Sequence, residues 1–143
     1  MKYISFILVF SMFILSCGGS RTVVTDNPLE NVPEDDIVRI ENDDLEYEII
    51  IIEPGFNRWL LSIARPEGYY SQPYMETRNQ IMVQEWNRRV LQPNQFDPGL
   101  YELRIDYNPQ IDYGYEVNYK LYNYFIYFQL TYNQRLGNFI PRI

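Results

Sequence analysis

The stretch YEVNYKLYNYFIYFQLTYNQRL, from Tyr115 to Leu136, contains neither glycine nor proline. Its 22 residues are about four times the length of an ordinary strand. A helix is therefore expected, even though aromatic residues favour sheets. On a helical wheel Val117, Leu121, Tyr124, Phe125, Phe128 and Tyr132 form one apolar stripe, and Tyr115, Tyr119, Tyr122, Ile126 and Leu130 form a second. Only Glu116, Lys120, Asn123, Tyr127, Thr131 and Gln134 make a mostly polar strip, with Glu116 and Lys120 in the favourable i, i+4 order. Such a helix needs cover on most of its circumference. Two readings stay open: it runs through the middle of a domain, or its second stripe docks onto a partner.

The segments before it supply candidate cover. Leu45 to Glu53 (LEYEIIIIE) is β-branched and stops at Pro54-Gly55, which predicts a strand with both faces largely covered. Leu100 to Asn108 alternates Tyr101, Leu103, Ile105 and Tyr107 with polar residues and predicts a half-buried strand, paired with the first. Between them, Phe56, Trp59, Leu60, Ile63 and Ala64 recur at helical spacing up to Pro66, and Tyr74 to Leu91 predicts a second helix that stops before Pro93. The expected fold is a small α+β domain: a short antiparallel sheet, about three helices, and the long aromatic-rich C-terminal helix at its centre.

The start of the chain is of another kind. Lys2 precedes an apolar run from Tyr3 to Leu15, and Ile14-Leu15-Ser16-Cys17 follows the pattern of a lipoprotein signal with Cys17 as the first mature, lipidated residue. The run is too short to span a bilayer. Residues 1–16 are thus expected as signal peptide, 17–44 as lipidated N-terminus and flexible acidic linker, and 45–143 as one globular domain. From Asp26 to Glu48 ten acidic residues meet Arg39 alone, whereas nine acidic and nine basic residues follow from Ile49 onward. The acidity is expected to belong to the tether and its junction, and some 26 residues of linker would reach about 25 to 30 Å.

Composition excludes several chemistries. The chain has one cysteine and no histidine among 143 residues and a net charge of −7. With Cys17 lipidated, no thiol nucleophile, thiolate metal site or imidazole base is left. Nucleic-acid binding lacks the basic surface it needs. No metal site or cofactor is expected, and an enzyme here would have to work with carboxylates. Glu76 with Glu85, or Asp106 with Asp112, are the available pairs, and neither spacing is diagnostic. A glycan- or peptidoglycan-binding module would use Tyr69, Tyr70, Tyr74, Tyr113 and Tyr115 for stacking. A non-catalytic accessory protein would hold an envelope partner through Trp59, Trp86, Arg88 and Arg89, since Trp, Tyr and Arg dominate interface hot spots. The accessory reading is favoured because it asks for no chemistry that the inventory lacks.

Several motifs occur together: Phe56-Asn57-Arg58-Trp59-Leu60, Gly68-Tyr69-Tyr70-Ser71, Glu76-Thr77-Arg78-Asn79, Glu85-Trp86-Asn87-Arg88-Arg89-Val90, Asp112-Tyr113-Gly114-Tyr115-Glu116-Val117-Asn118-Tyr119 and Asn133-Gln134-Arg135-Leu136. Over about Leu45 to Ile143 the chain resembles a family of small Bacteroidetes lipoproteins catalogued as domain of unknown function 6146. The resemblance implies a Gram-negative envelope lipoprotein and brings no activity, cofactor or catalytic residue. Surface-exported lipoproteins of that group carry acids directly after the lipidated cysteine. Here Gly18-Gly19-Ser20-Arg21-Thr22 follows Cys17 and the first acid is Asp26, which favours the periplasmic face of the outer membrane.

Overall fold

A computed structural model describes residues 29–143, of which Asn31–Ile143 form one compact unit. The expected signal peptide, Cys17 and the start of the acidic segment lie outside the described residues. The elements are a 3-10 turn Glu34–Asp36, strand β1 (Ile37–Asn42), a 3-10 turn Asp43–Leu45, strand β2 (Tyr47–Ile52) and helices α1 (Phe56–Ser62), α2 (Gln72–Val90) and α3 (Gly114–Thr131). This is a small α+β domain with three helices and a two-stranded antiparallel sheet.

Helix α3 is the element that the others enclose. Eleven of its residues are buried: Val117, Leu121, Tyr124, Phe125 and Phe128 from the first stripe, Tyr119, Tyr122 and Ile126 from the second, Asn123 from the polar strip, and Asn118 and Gln129 from the seam between the stripes. It packs against α2, β1 and α1. The second stripe is covered from within the chain, because Tyr70 and Tyr74 lie edge-on to Tyr122 and the Tyr119 hydroxyl donates to the carbonyl of Arg65 at 2.9 Å. Asn118, Asn123 and Gln129 survive burial by donating to the carbonyls of Gly114, Tyr119 and Phe125, one turn back on their own helix.

The helix stops five residues short of the expected end. Asn133 takes a left-handed conformation with φ 53° just beyond the last turn, and the amide of Gln134 donates to the carbonyl of Gln129 at 3.0 Å. That pattern is a Schellman closure with asparagine in the place more often taken by glycine.

The sheet departs from expectation. Ile37–Asn42, read as part of the linker, is the partner of β2, in the register Ile37 to Ile52 through Asn42 to Tyr47. The folded domain thus begins before residue 45, and the later part of the expected 17–44 linker belongs to it. Val38 and Ile40 face the core while Arg39 and Glu41 point away, the alternation of a half-buried strand. A rim of acids on both sides hides this short pattern in the sequence. Strand β2 is likewise covered on one face only, with Ile50 38% and Ile52 51% exposed.

Leu100 to Asn108 is not a strand. Tyr101 and Ile105 do turn inward and Leu103 outward, but the segment lies against α2. There the Asn87 side chain donates to the carbonyl of Ile105 and accepts from its amide, both at 2.8 Å. One asparagine amide thus replaces the strand that was expected beside it.

Phe125 is fully buried at the centre of this arrangement, whereas Leu130 on the same helix is 43% exposed. Phe125→Ala is expected to lower the unfolding free energy by about 3 to 5 kcal/mol, and Leu130→Ala by under about 1 kcal/mol. Urea denaturation of both variants checks the pair.

Candidate functional site

The expected site residues fall into three places. Trp59, on α1, is half-buried beside Phe56 and Tyr127, with ring centroids 6.3 and 5.5 Å away. Gly55, at φ 84°, starts this helix, and a Cβ there would come within 3.2 Å of the Tyr127 hydroxyl, which itself donates to Pro54. Tyr69 and Tyr70 lie at the start of α2. Trp86, Arg88 and Arg89 lie near its end, about 20 Å further along the helix.

The tyrosine end is internally paired. Tyr70 stacks flat on Tyr74 at 4.8 Å, and the guanidinium of Arg78 covers the Tyr74 ring at 3.8 Å. Tyr69 is 56% exposed, with Arg65 4.9 Å from its ring centre. Tyr115 joins this end, donating to the carbonyl of Tyr70 and accepting from the amide of Gly68. Tyr113 does not: it stacks on Tyr107 and lies tilted against Tyr47. Of the expected stacking residues, Tyr69 offers the most surface, because Tyr70 and Tyr74 occupy each other's faces.

The carboxylate pairs do not assemble as expected. Gln72 Nε2 donates to both Glu76 Oε1 and Asp112 Oδ1 at 2.7 Å, which joins members of two different pairs. Nearby, Tyr107 and Asn79 donate to Asn118 Oδ1, and burial followed by the Glu76 charge pushes the Tyr107 hydroxyl up to about 12. Asn79 Oδ1 is buried without a partner. Glu85 faces arginines instead. Among the described residues no group of three or more metal-ligating side chains comes together.

The C-terminal half of α2 carries the most polar structure. Trp86 is core, 5% exposed, ringed by Tyr101, Tyr124, Phe125 and Phe128, with its Nε1 donating to Leu103 at 2.9 Å. Its body belongs to the interior, and no partner reaches it without unfolding.

Arg89 is also buried. Its guanidinium donates to Glu85 Oε1 at 2.7 Å, to the Tyr101 hydroxyl at 2.6 Å, to Gln134 Oε1 at 3.2 Å and to the carbonyl of Arg135. Arg88 is exposed and grips the same carboxylate with two nitrogens, at 2.8 and 2.7 Å. These hydrogen bonds, from Arg88 first and Arg89 next, outweigh burial and hold the Glu85 carboxyl down at about 2.

Above this clamp, residues 135–138 run beside α2 and leave an open concavity of about 690 Å³. Ile81, Gln84, Glu85 and Arg88 form one wall, and Arg135 and Asn138 the other. Leu136, fully buried, is anchored by its amide to Gln129 Oε1 at 2.8 Å. Sequence reasoning found Arg88 and Arg89 but missed Arg135. The available signal was Asn133, whose left-handed tolerance ends the helix and turns Arg135 back toward α2.

The molecule is therefore an α+β domain whose side-chain chemistry is concentrated on one helix and the tail beside it. The chain belongs to a family described as a family of unknown function, DUF6146, which matches residues 5–140. Among curated proteins and solved structures none matches it.

Glu85 has a folded-state pKa below its unfolded value, so its contribution to stability is present above about pH 4.5 and is lost as pH falls toward 2. After allowance for solvent screening this amounts to roughly 1 to 2 kcal/mol. In Glu85→Gln that acid-limb loss is expected to shrink, while stability near neutral pH falls by about 2 kcal/mol or more because Arg89 keeps its burial and loses its counter-charge. Urea unfolding at pH 6.5 and pH 3 of both proteins measures each effect.

Proposed function

We propose that this chain is a lipid-anchored accessory protein of a Bacteroidetes cell envelope, tethered through Cys17 at the periplasmic face of the outer membrane, whose domain binds another envelope protein and turns over no substrate. The signal-like residues 1–16 and the sole cysteine support the tether.

The observation that carries the binding role is the open concavity on α2. It presents Arg88 and Arg135 on a rigid helix and an anchored tail, a placement suited to recognition. Catalysis by its carboxylate is disfavoured. A general acid needs a carboxyl whose pKa is raised toward neutrality, and Glu85 is moved the other way. The glycan reading loses support because Tyr70 and Tyr74 stack on one another.

Three measurements test the proposal. Cys17→Ala is expected to abolish palmitate labelling and to move the protein from the membrane to the soluble fraction; persistent labelling or membrane retention overturns the anchor. A photo-crosslinker at Gln84, used in intact cells, is expected to capture one repeatable neighbouring protein. Capture of none across growth conditions overturns the accessory role, and loss of the protein on protease treatment of unbroken cells overturns the periplasmic placement.

A further inference from the structure

We propose that the concavity between α2 and the tail is a docking site for an acidic segment of the partner protein, read by Arg135 and Arg88. The inference rests on the accessory role and names the chemistry of the partner. Its basis is a local reversal of charge. The chain as a whole carries −7, with ten acids between Asp26 and Glu48. The wall of the concavity instead sets Arg88 and Arg135 against Glu85 alone, with Arg89 directly behind the same carboxylate. One carboxylate faces two guanidinium groups, and Arg135 adds a third.

Donor accounting points the same way. A guanidinium has five N–H donors. Arg88 uses three of them, two on Glu85 and one on Gln92, which leaves two on an exposed side chain. Arg135 is exposed and makes a single long hydrogen bond of 3.5 Å, to the carbonyl of Asn138. The ion pairs among the described residues involve Arg39, Arg88 and Arg89, and not Arg135. Its planar fork is therefore available for a carboxylate, the group that such a fork matches two bonds at a time. Ile81, 42% exposed, adds an apolar contact at the same wall.

The shape selects a polypeptide. Small ligands bind where most of their surface is enclosed, and this concavity is a broad opening along a helix. An acidic segment with an apolar residue beside its carboxylates suits both walls.

Fluorescence anisotropy on the purified full chain tests this with a labelled peptide, Gly-Leu-Glu-Asp-Leu-Glu-Gly, and its counterpart carrying Gln and Asn for the acids. The acidic peptide is expected to bind saturably at low salt and the amide peptide to bind at least tenfold more weakly. Arg135→Gln is expected to weaken the acidic peptide about tenfold, and Arg135→Lys less. Arg58→Gln, the same charge change on exposed α1, is expected to leave binding unchanged. Because Arg89 uses the main-chain carbonyl of Arg135, the side-chain change leaves that tie in place, and an unchanged melting temperature verifies it.

Equal binding of the two peptides, or indifference to Arg135→Gln, overturns the proposal. So does Arg135-dependent binding to phosphatidylglycerol vesicles without peptide binding, displacement of the peptide by equimolar inorganic phosphate, or concentration-dependent self-association through this face. The Gln84 crosslinker separates the two levels. A neighbour captured equally by wild type and Arg135→Gln leaves the accessory role standing and removes the acidic docking site, and no neighbour in either removes the accessory role itself.

Discussion

A helix that is apolar nearly all the way round must be enclosed, and enclosing α3 is the constraint from which the rest of this domain follows. Phe125, Phe128, Leu121 and Val117 on one stripe, or Ile126, Tyr119 and Tyr122 on the other, would face water if that side were open, at a cost of about 1.5 to 3 kcal/mol for each large side chain. Two strands and two other helices cannot surround it. The remaining cover has to come from chain without regular structure, residues 91–113 and 132–143, which supply Tyr101, Ile105, Tyr113 and Leu136 to the core.

Irregular chain packed onto a core brings backbone amides and carbonyls with it, and these need partners. Side chains of the regular elements provide them. Trp86 and Asn87 hold the carbonyls of Leu103 and Ile105, the Tyr47 hydroxyl holds that of Asp106 at 2.6 Å, Arg89 holds that of Arg135, and Gln129 receives the amide of Leu136. Two of the buried polar residues, Arg89 and Gln129, therefore act as fasteners of the tail. Arg89 is the more demanding of them, since a buried guanidinium is tolerable only when fully paired, and its partners come from α2, the segment after it and the tail.

This division explains what the sequence made legible. The burial of α3 on both stripes and the two earlier helices follow from local periodicity, and they stand within a few residues of expectation. The strand pairing does not. Ile37-Val38-Arg39-Ile40 is a short alternation inside an acidic run, so composition over the longer window outweighed the local period. Tyr101, Leu103, Ile105 and Tyr107 carry a clear alternation, yet whether such a segment meets another strand or a helix is decided by tertiary contacts. Asn87 lies on α2, and nothing in its local sequence announces that its amide substitutes for a ladder. The site suffers the same blindness. Trp86 and Arg89 were sensible interface candidates by residue type, and the structure spends both on the interior, whereas Arg135 stands out only once the chain has turned at Asn133.

The concavity is a consequence of the enclosure. The chain leaves α3 at Asn133 and buries Leu136 beside Gln129, so residues 135–138 come to line the same concavity as Glu85 and Arg88. Arg89 bonds Oε1 of Glu85 and helps to fix that carboxylate in place, and Arg88, bonded to both of its oxygens, is thereby held with two donors to spare. An arginine immobilised by a structural carboxylate loses little side-chain entropy when a second anion arrives, so part of the cost of recognition has already been met in folding. The same ion pair that secures the covering tail thus prepares the exposed guanidinium beside it. In this domain the cover over α3 and the candidate recognition surface are built by one set of residues, and a change that loosens the first degrades the second.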